Sequence, residues 1–531
     1  MKYLQIVNFA GINTNQAVRR IKPNKDTEGV AEAAEMLNMD ITREGSIVTS
    51  TGFEKVSNVA GAGGVKNLLN YEKDEDTRYL LITYDDDHYS ITPADTAWSN
   101  TNLGDYGTVG NYVGGVVYMG TSTIRRAILG TDIDANDIQK ANITDAMAAL
   151  TDPPASGYIM AAFMGRLFIA NGVTLYYSDV EDEDDFASGG TIKFNDIITG
   201  LRVEGKRMIV FTRTYHQGIF FDYDNTFNLS VPLKEPYERV YGCLAHKTVQ
   251  GVNSDVYYWS PRGVMRLGSE LSYDDQGTPR PQSLSHDIEP TLEGINKKYR
   301  KLATSVHWGE KQQYWMAVPY GTSRVNDTVF VFNETWKAWS VRNGFYPSDL
   351  ELFKNSDYED ELYFGDANNP YIYKFNDDYS YDGAGYTRLW KSKIFTLGSG
   401  IDYKGFKRID ITGSMDAGTE FYITVQVDNV KKKYKVDNTF LIRDAFGDYV
   451  GDNWIGDNWI GGAAPSESRF KRFYAPLDFS KELREGIELQ ITIENDGIEQ
   501  PFKIDFIGIE YEMLSRKQVP RRNYINTQIT I

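Results

Sequence analysis

The 531 residues carry 56 Lys and Arg against 74 Asp and Glu, a formal charge of −18, which excludes tight, phosphate-anchored nucleic-acid binding as the main activity. With 41% hydrophobic and 24% charged residues the chain is globular, and its 36 Tyr, 26 Phe and 47 Gly suit pleated sheets joined by tight turns. Cys243 is the sole cysteine, so an intrachain disulfide and a zinc-ribbon thiolate site are both excluded.

In chain order, "MKYLQIVNFAGINTNQ" has no long apolar core before a small-residue cleavage site, so no signal peptide is expected. "DTEGVAEAAEMLNM" (Asp26–Met39) reads as a helix, with Asp26 or Thr27 as cap, Glu28 in the first turn and Ala, Met and Leu following. A weaker helical pattern covers Ala135–Leu150. From about Val65 onward, short aromatic and β-branched runs recur with Gly, Asn or Pro between them, as in Arg78–Thr92, Gly115–Gly130, Arg166–Tyr177, Leu201–Asp224 and Asp255–Gly268. Ser305–Gly321, Asp327–Gly344 and Glu361–Asp377 continue the series. Hairpins at this spacing point to an all-β fold, a β-propeller of about six to eight blades, with a large sandwich as the alternative. Trp259, Trp315 and Trp339 are expected to be buried aromatics holding blades together.

The apolar stretch Tyr158–Val173 is broken by Arg166 and Asn171 and is too short to span a bilayer, so no membrane insertion is expected. Near Tyr386 the texture changes. Thr387–Gly413, Glu420–Asn429, Gly486–Asn495 and Phe502–Leu514 alternate in period two and read as a β-sandwich following the propeller. The expected organisation is an N-terminal segment, 1–60, contributing to a platform or closing the propeller. After it come the propeller at 61–380, a sandwich at 386–515 and a basic tail at 516–531, either docked on an acidic neighbour or solvated.

Candidate chemistry is sparse. Asp179, Glu181, Asp182, Glu183, Asp184 and Asp185 follow a hairpin, but consecutive carboxylates on one loop repel and stay solvated, whereas glycosidase chemistry needs two of them facing a cleft. "DIDAND" (Asp132–Asp137) starts like a calcium loop but has Asp137 where the turn needs Gly and Ile143 where a bidentate Glu belongs. His88, His216, His246, His286 and His307 show no metal-binding spacing, and Gly61–Gly64 lacks a P-loop context. No catalytic residue, metal site or cofactor is therefore assigned, and the chain is read as a non-enzyme. "GDNWIGDNWIGG" (Gly451–Gly462) presents Trp454 and Trp459 on a Gly-rich repeat, read as a subunit contact, with sugar binding or a simple local duplication as alternatives.

Several segments together resemble one family. "NFAGINTNQ" with "AEAAEMLNMDITREGSIVTSTGFEKV" (Asn8–Val56) is similar to the opening of bacteriophage tail nozzle, or tail tubular, and packaged-DNA stabilisation propeller proteins, through Gly11, Asn13, Glu35, Asn38, Asp40, Gly45 and Gly52. Thr51 departs from the Arg or Pro common there. Phe163–Phe186, Ile198–Phe220, Val256–Leu267, Leu284–Pro290 and Gln313–Ser340 resemble that family's blades, and Trp390–Ile411 its sandwich. The order of these segments along the chain carries the resemblance.

The resemblance implies a virion component forming a homo-oligomeric, six-membered ring below a portal–adaptor complex, in contact with tail fibre or tail-tip proteins. DNA would pass without specific binding, because a carboxylate-lined lumen repels phosphate. On this reading, residues 179–185 are the wet end of a blade hairpin facing that channel. The rival readings are a receptor- or glycan-binding tail-tip protein and a propeller glycoside hydrolase.

Overall fold

A computed structural model of the protein describes residues 2–18, 30–58, 63–73, 77–84, 87–92, 99–105, 112–119, 125–133, 138–141, 147–221, 227–229, 241–268, 281–355, 358–397, 401–442 and 471–514. Among these residues nearly every element is a strand. The α-helix Glu289–Leu292 is one turn, and no helix is long and apolar enough to cross a membrane. The chain forms two compact units, Thr51–Gly383 and a discontinuous one made of Met1–Ser50 with Ala384–Ile531.

Thr51–Gly383 is a β-propeller. Six four-stranded antiparallel sheets and one further four-stranded meander, Thr304–Trp308 through Ala338–Asn343, follow one another as seven blades. Their first strands form the inner ring: Val65–Glu72, Val113–Met119, Ile159–Phe163, Ile198–Glu204, Gln250–Val252, Thr304–Trp308 and Pro347–Lys354. Each packs beside the next, and the last returns to the first. The local sequence explains the meanders. In blade three, Arg166–Asn171 and Thr174–Tyr177 pair across a two-residue turn with Asn171 opposite Thr174, and Gly172 takes the positive φ of 62° that the turn requires.

Blades adhere through apolar side chains on facing sheets. Between blades three and four, Phe163, Phe168 and Leu175 pack with Leu201, Met208, Val210 and Ile219. Trp259, Trp315 and Trp339 are all buried within their blades, as their sequence setting suggested.

The ring is closed by a strand from the other end of the unit. Phe53–Asn58 is the outermost strand of blade seven, antiparallel to Tyr371–Phe375, with Phe53 opposite Phe375. Phe53 stacks on Tyr381 at 4.4 Å and meets Phe364 at 4.9 Å and Phe345 at 5.3 Å. Beside it, a Cβ on Gly52 would fall on the Ser380 carbonyl, so only glycine lets the two segments approach.

The discontinuous unit is a β-sandwich. One sheet contains Lys471–Asp478, Lys404–Met415, Phe502–Met513, Ile47–Thr49 and Met39–Ile41, and Lys2–Ile6 also pairs with Phe502–Met513. The other contains Val30–Leu37, Arg388–Ser392, Leu489–Asn495, Phe421–Val427 and Val430–Val436, with Asn8–Ile12 parallel to Val30–Leu37. Phe421–Val427 buries alternate side chains, and Phe421 stacks on Phe502 of the opposite sheet at 4.5 Å.

Both helix expectations are corrected. Val30–Leu37 is a strand held between two partners, with Met36 opposite Trp390, and residues 26–29 lie outside the described residues. Its Ala, Met and Glu favour a helix, but helix propensity is a weak prior that ladder pairing overrides. Within Ala135–Leu150 the structure describes two short strands of blade two, Gln139–Ala141 and Ala148–Ala149.

Candidate functional site

The acidic run follows Thr174–Tyr177, the third strand of blade three, and therefore sits away from the inner ring. Its backbone is folded on itself: Asp179 N–H donates to the Asp185 carbonyl at 2.8 Å and Glu181 N–H to the Gly165 carbonyl at 2.6 Å. Glu181 and Asp182 are exposed, and Asp179, Asp184 and Asp185 are half-buried. Glu183 departs from the solvated state expected of the run. It is only 5% exposed, pairs with Arg126 Nη1 and lies 3.5 Å from Lys140 Nζ.

Asp184 also pairs with Lys140 and accepts from Thr151 N–H at 3.1 Å. Burial opposes its charge, but these bonds outweigh that effect and hold its carboxyl below the ordinary range. Asp179 lies 3.4 Å from Arg166 Nη1, and Asp185 accepts from Ser188 N–H at 2.7 Å. Because Arg126 and Lys140 belong to blade two, Glu183 and Asp184 are a clasp between neighbouring blades. Trp454, Trp459 and the basic tail 516–531 lie outside the described residues.

The propeller axis holds a second cluster with no local sequence motif. A cavity of about 360 Å³ is walled by the inner strands and shares His246 and Lys247 with a smaller neighbouring chamber of about 110 Å³. Lys247, just before blade five, extends across the axis. Its Nζ stands 2.6 Å from Asp349 Oδ2 of blade seven and 2.8 Å from Asn67 Oδ1 of blade one.

Asp349, 4% exposed, also accepts from Thr304 Oγ1 at 2.7 Å and from the backbone N–H groups of Leu68 at 2.9 Å and Leu350 at 3.1 Å. Register shifts at Val65/Asn67 and Pro347/Asp349 open both inner strands, bulges that re-aim Asn67 and Asp349 toward Lys247. One lysine thus ties blades one, five and seven together, while Thr304 adds blade six.

Glu351, two residues along from Asp349, receives Asn70 N–H at 3.2 Å. Burial first, then the neighbouring Asp349 charge, pushes its carboxyl up to about 8, so it is largely protonated at neutral pH. His246 is pushed down to about 4, by burial first and then by Lys247 and Arg202, and is a neutral imidazole. Burial also lowers Arg202. Cys243, enclosed near blade five, is pushed up to about 12 by burial and is chemically quiet. Among the described residues, no three His, Cys, Asp or Glu side chains converge as metal ligands would.

The axial residues were missed by sequence reasoning. A usable signal is present in Asp349-Leu350-Glu351-Leu352-Phe353 and in Lys66-Asn67-Leu68-Leu69-Asn70, where polar side chains interrupt the apolar inner strand of a blade.

No family model and no curated protein matches this chain. Among solved structures it is similar to the extracellular domain of a hybrid two-component system from B. thetaiotaomicron (TM-score 0.40, 12% identity), covering 67% of this chain and 43% of that one. The chain therefore spans less than half the length of that domain. It is also similar to a chain of a mitotic checkpoint complex (TM-score 0.38, 9% identity, 61% of this chain and 95% of that one). A third likeness is to an exo-β-1,3-galactanase from Phanerochaete chrysosporium (TM-score 0.27, 10% identity, 87% of this chain and 99% of that one). These likenesses are too distant to bear on function; the propeller itself is read from strand order and pairing.

Proposed function

We propose that this chain is a structural, non-enzymatic subunit of a bacteriophage tail, of the nozzle or packaged-DNA stabilisation kind. Copies of it, six in the family it resembles, would close into a ring docked to portal–adaptor and tail-tip proteins, with DNA passing through the lumen. The supporting observation is that the two terminal segments carrying the resemblance are partners in one sheet. Met36 pairs with Trp390, Phe9 packs edge-on to Trp390 at 5.4 Å, and the Asn38 amide donates to the Thr387 carbonyl at 2.7 Å.

The propeller axis is not the conduit. A single lysine side chain spans it, whereas the major groove alone of a duplex is about 12 Å wide. A DNA path therefore requires a lumen between copies, and the charge of −18 would keep a passing duplex from adhering. Analytical ultracentrifugation with negative-stain imaging of the protein, alone and with a portal–adaptor complex, tests this. Rings with a duplex-wide pore are expected; a stable pore-free trimer, or no ring in either sample, overturns the proposal.

One observation favours a second reading, glycan hydrolysis at the axial cavity: Glu351 holds a proton beside the ion-paired Asp349, the two-carboxylate division of labour that glycosidases use. Asp349 already accepts four hydrogen bonds within the fold, which weighs against its acting on a substrate. Release of reducing sugar from a polysaccharide panel by wild type and not by Glu351→Gln would move the assignment to this reading.

A further inference from the structure

The axial cavity carries polar groups that the fold leaves unused. Asn67 is 3% exposed and its Oδ1 serves Lys247, yet its Nδ2 has no hydrogen-bond partner. Nδ1 of His246 and Nε of Arg202, both in the same wall, are also without partners. Buried polar groups are nearly always satisfied, so three orphans enclosed in the wall of one cavity, on residues that line it, point to a polar ligand there.

The charge pattern gives the sign of that ligand. Lys247 is matched by Asp349, and the Glu351 carboxyl is kept neutral by burial. Arg202 is different. Glu204 favours its charge from a distance, but no carboxylate forms a described ion pair with it. Its guanidinium instead lies on Gly251 of blade five: a Cβ there would stand 2.5 Å from Nη2 and 3.2 Å from Cζ. Glycine at 251 is thus what lets a planar, hydrogen-bonding cation rest in the wall with its fork unspent, and such a fork matches a carboxylate or phosphate.

We propose that the axial cavity is a binding site for a small organic anion, its carboxylate or phosphate group seated on the Arg202 guanidinium, with the Asn67 amide and the His246 imidazole as further hydrogen-bonding partners. The site belongs to a single propeller, so it is independent of any ring and of the tail assignment.

Calorimetric titration of the full chain with glucuronate and, separately, inorganic phosphate tests the proposal, with sodium chloride as the ionic-strength control. The wild type is expected to bind at least one probe with a Kd below about 1 mM. Arg202→Gln should weaken that binding at least tenfold, and Gly251→Ala, which displaces the guanidinium without removing it, should weaken it too. Circular dichroism establishes that each variant is folded. Should Arg202→Gln fail to fold, Gly251→Ala and a shift of the His246 ring resonance in the unmodified protein carry the test. Failure of the wild type to bind either probe at about 10 mM, or undiminished binding in the folded variants, overturns the proposal.

Discussion

Lys247 Nζ and Asp349 Oδ2, 102 residues apart, stand 2.6 Å from each other on the propeller axis and join the turn before blade five to the inner strand of blade seven. The lysine side chain is 24% exposed and the aspartate 6%, so little solvent is available to replace either partner. Lys247→Met leaves the buried carboxylate three hydrogen bonds but no countercharge. The propeller is expected to lose about 3 kcal/mol, measured by urea unfolding followed through tryptophan fluorescence. A loss under about 1 kcal/mol would show that water in the cavity takes over the lysine's role.

The Glu351 carboxyl, raised from 4.5 to about 8, sets a pH dependence opposite to that of ordinary carboxylates. Below pH 4.5 both folded and unfolded states hold the proton and its contribution to stability is complete. Between 4.5 and 8 the unfolded chain releases the proton while the folded one keeps it, so stability falls as pH rises, by at most about 1.4 kcal/mol per unit for one group. Glu351→Gln removes this slope. The variant should be more stable than wild type at pH 8, and the gap should close by pH 5; parallel pH–stability curves would refute the assignment.

Closure of the ring rests on Phe53. Phe53→Ala strips the contacts with Tyr381, Phe364 and Phe345 and is expected to cost about 3–5 kcal/mol, with amide exchange accelerated first along Tyr371–Phe375. Gly52→Ala should act on the same strand, because its new methyl meets the Ser380 carbonyl. Unchanged protection of Tyr371–Phe375 in both variants would mean that the closing strand is not what secures blade seven.

Within the acidic run, two neighbours should respond differently to loss of charge. Glu183→Gln weakens the pairing to Arg126 and Lys140 and should cost about 1–3 kcal/mol. Asp182→Asn, at an exposed position, should stay within about 0.5 kcal/mol of wild type. Equal thermal midpoints for the two variants would remove the clasp between blades two and three.

Blades one to six were legible because each is local, whereas blade seven borrows Phe53–Asn58 from the start of the unit. Arg166–Tyr177 contains its strands, its turn and its burial pattern within a dozen residues, and Phe421–Val427 in the sandwich shows its alternating burial within seven. What escaped was non-local. Val30–Leu37 reads as a helix until Arg388–Ser392 is known to lie beside it. The axial cluster draws Asn67, Arg202, Lys247 and Asp349 from four blades with no spacing rule connecting them. Glu183 looked like one carboxylate among six because the cations that bury it, Arg126 and Lys140, sit in the preceding blade.

The closing strand also has a cost during synthesis. Phe53–Asn58 waits for Tyr371–Phe375, and Lys2–Ile6 waits for partners as late as Tyr511. At ribosomal speeds of about 5–20 residues per second, the first wait lasts about 16–64 s and the second about 25–100 s. Throughout these waits the nascent chain presents unpaired edges to its surroundings, so chaperone supply and codon speed, more than the stability of the finished ring, should govern the yield of native protein.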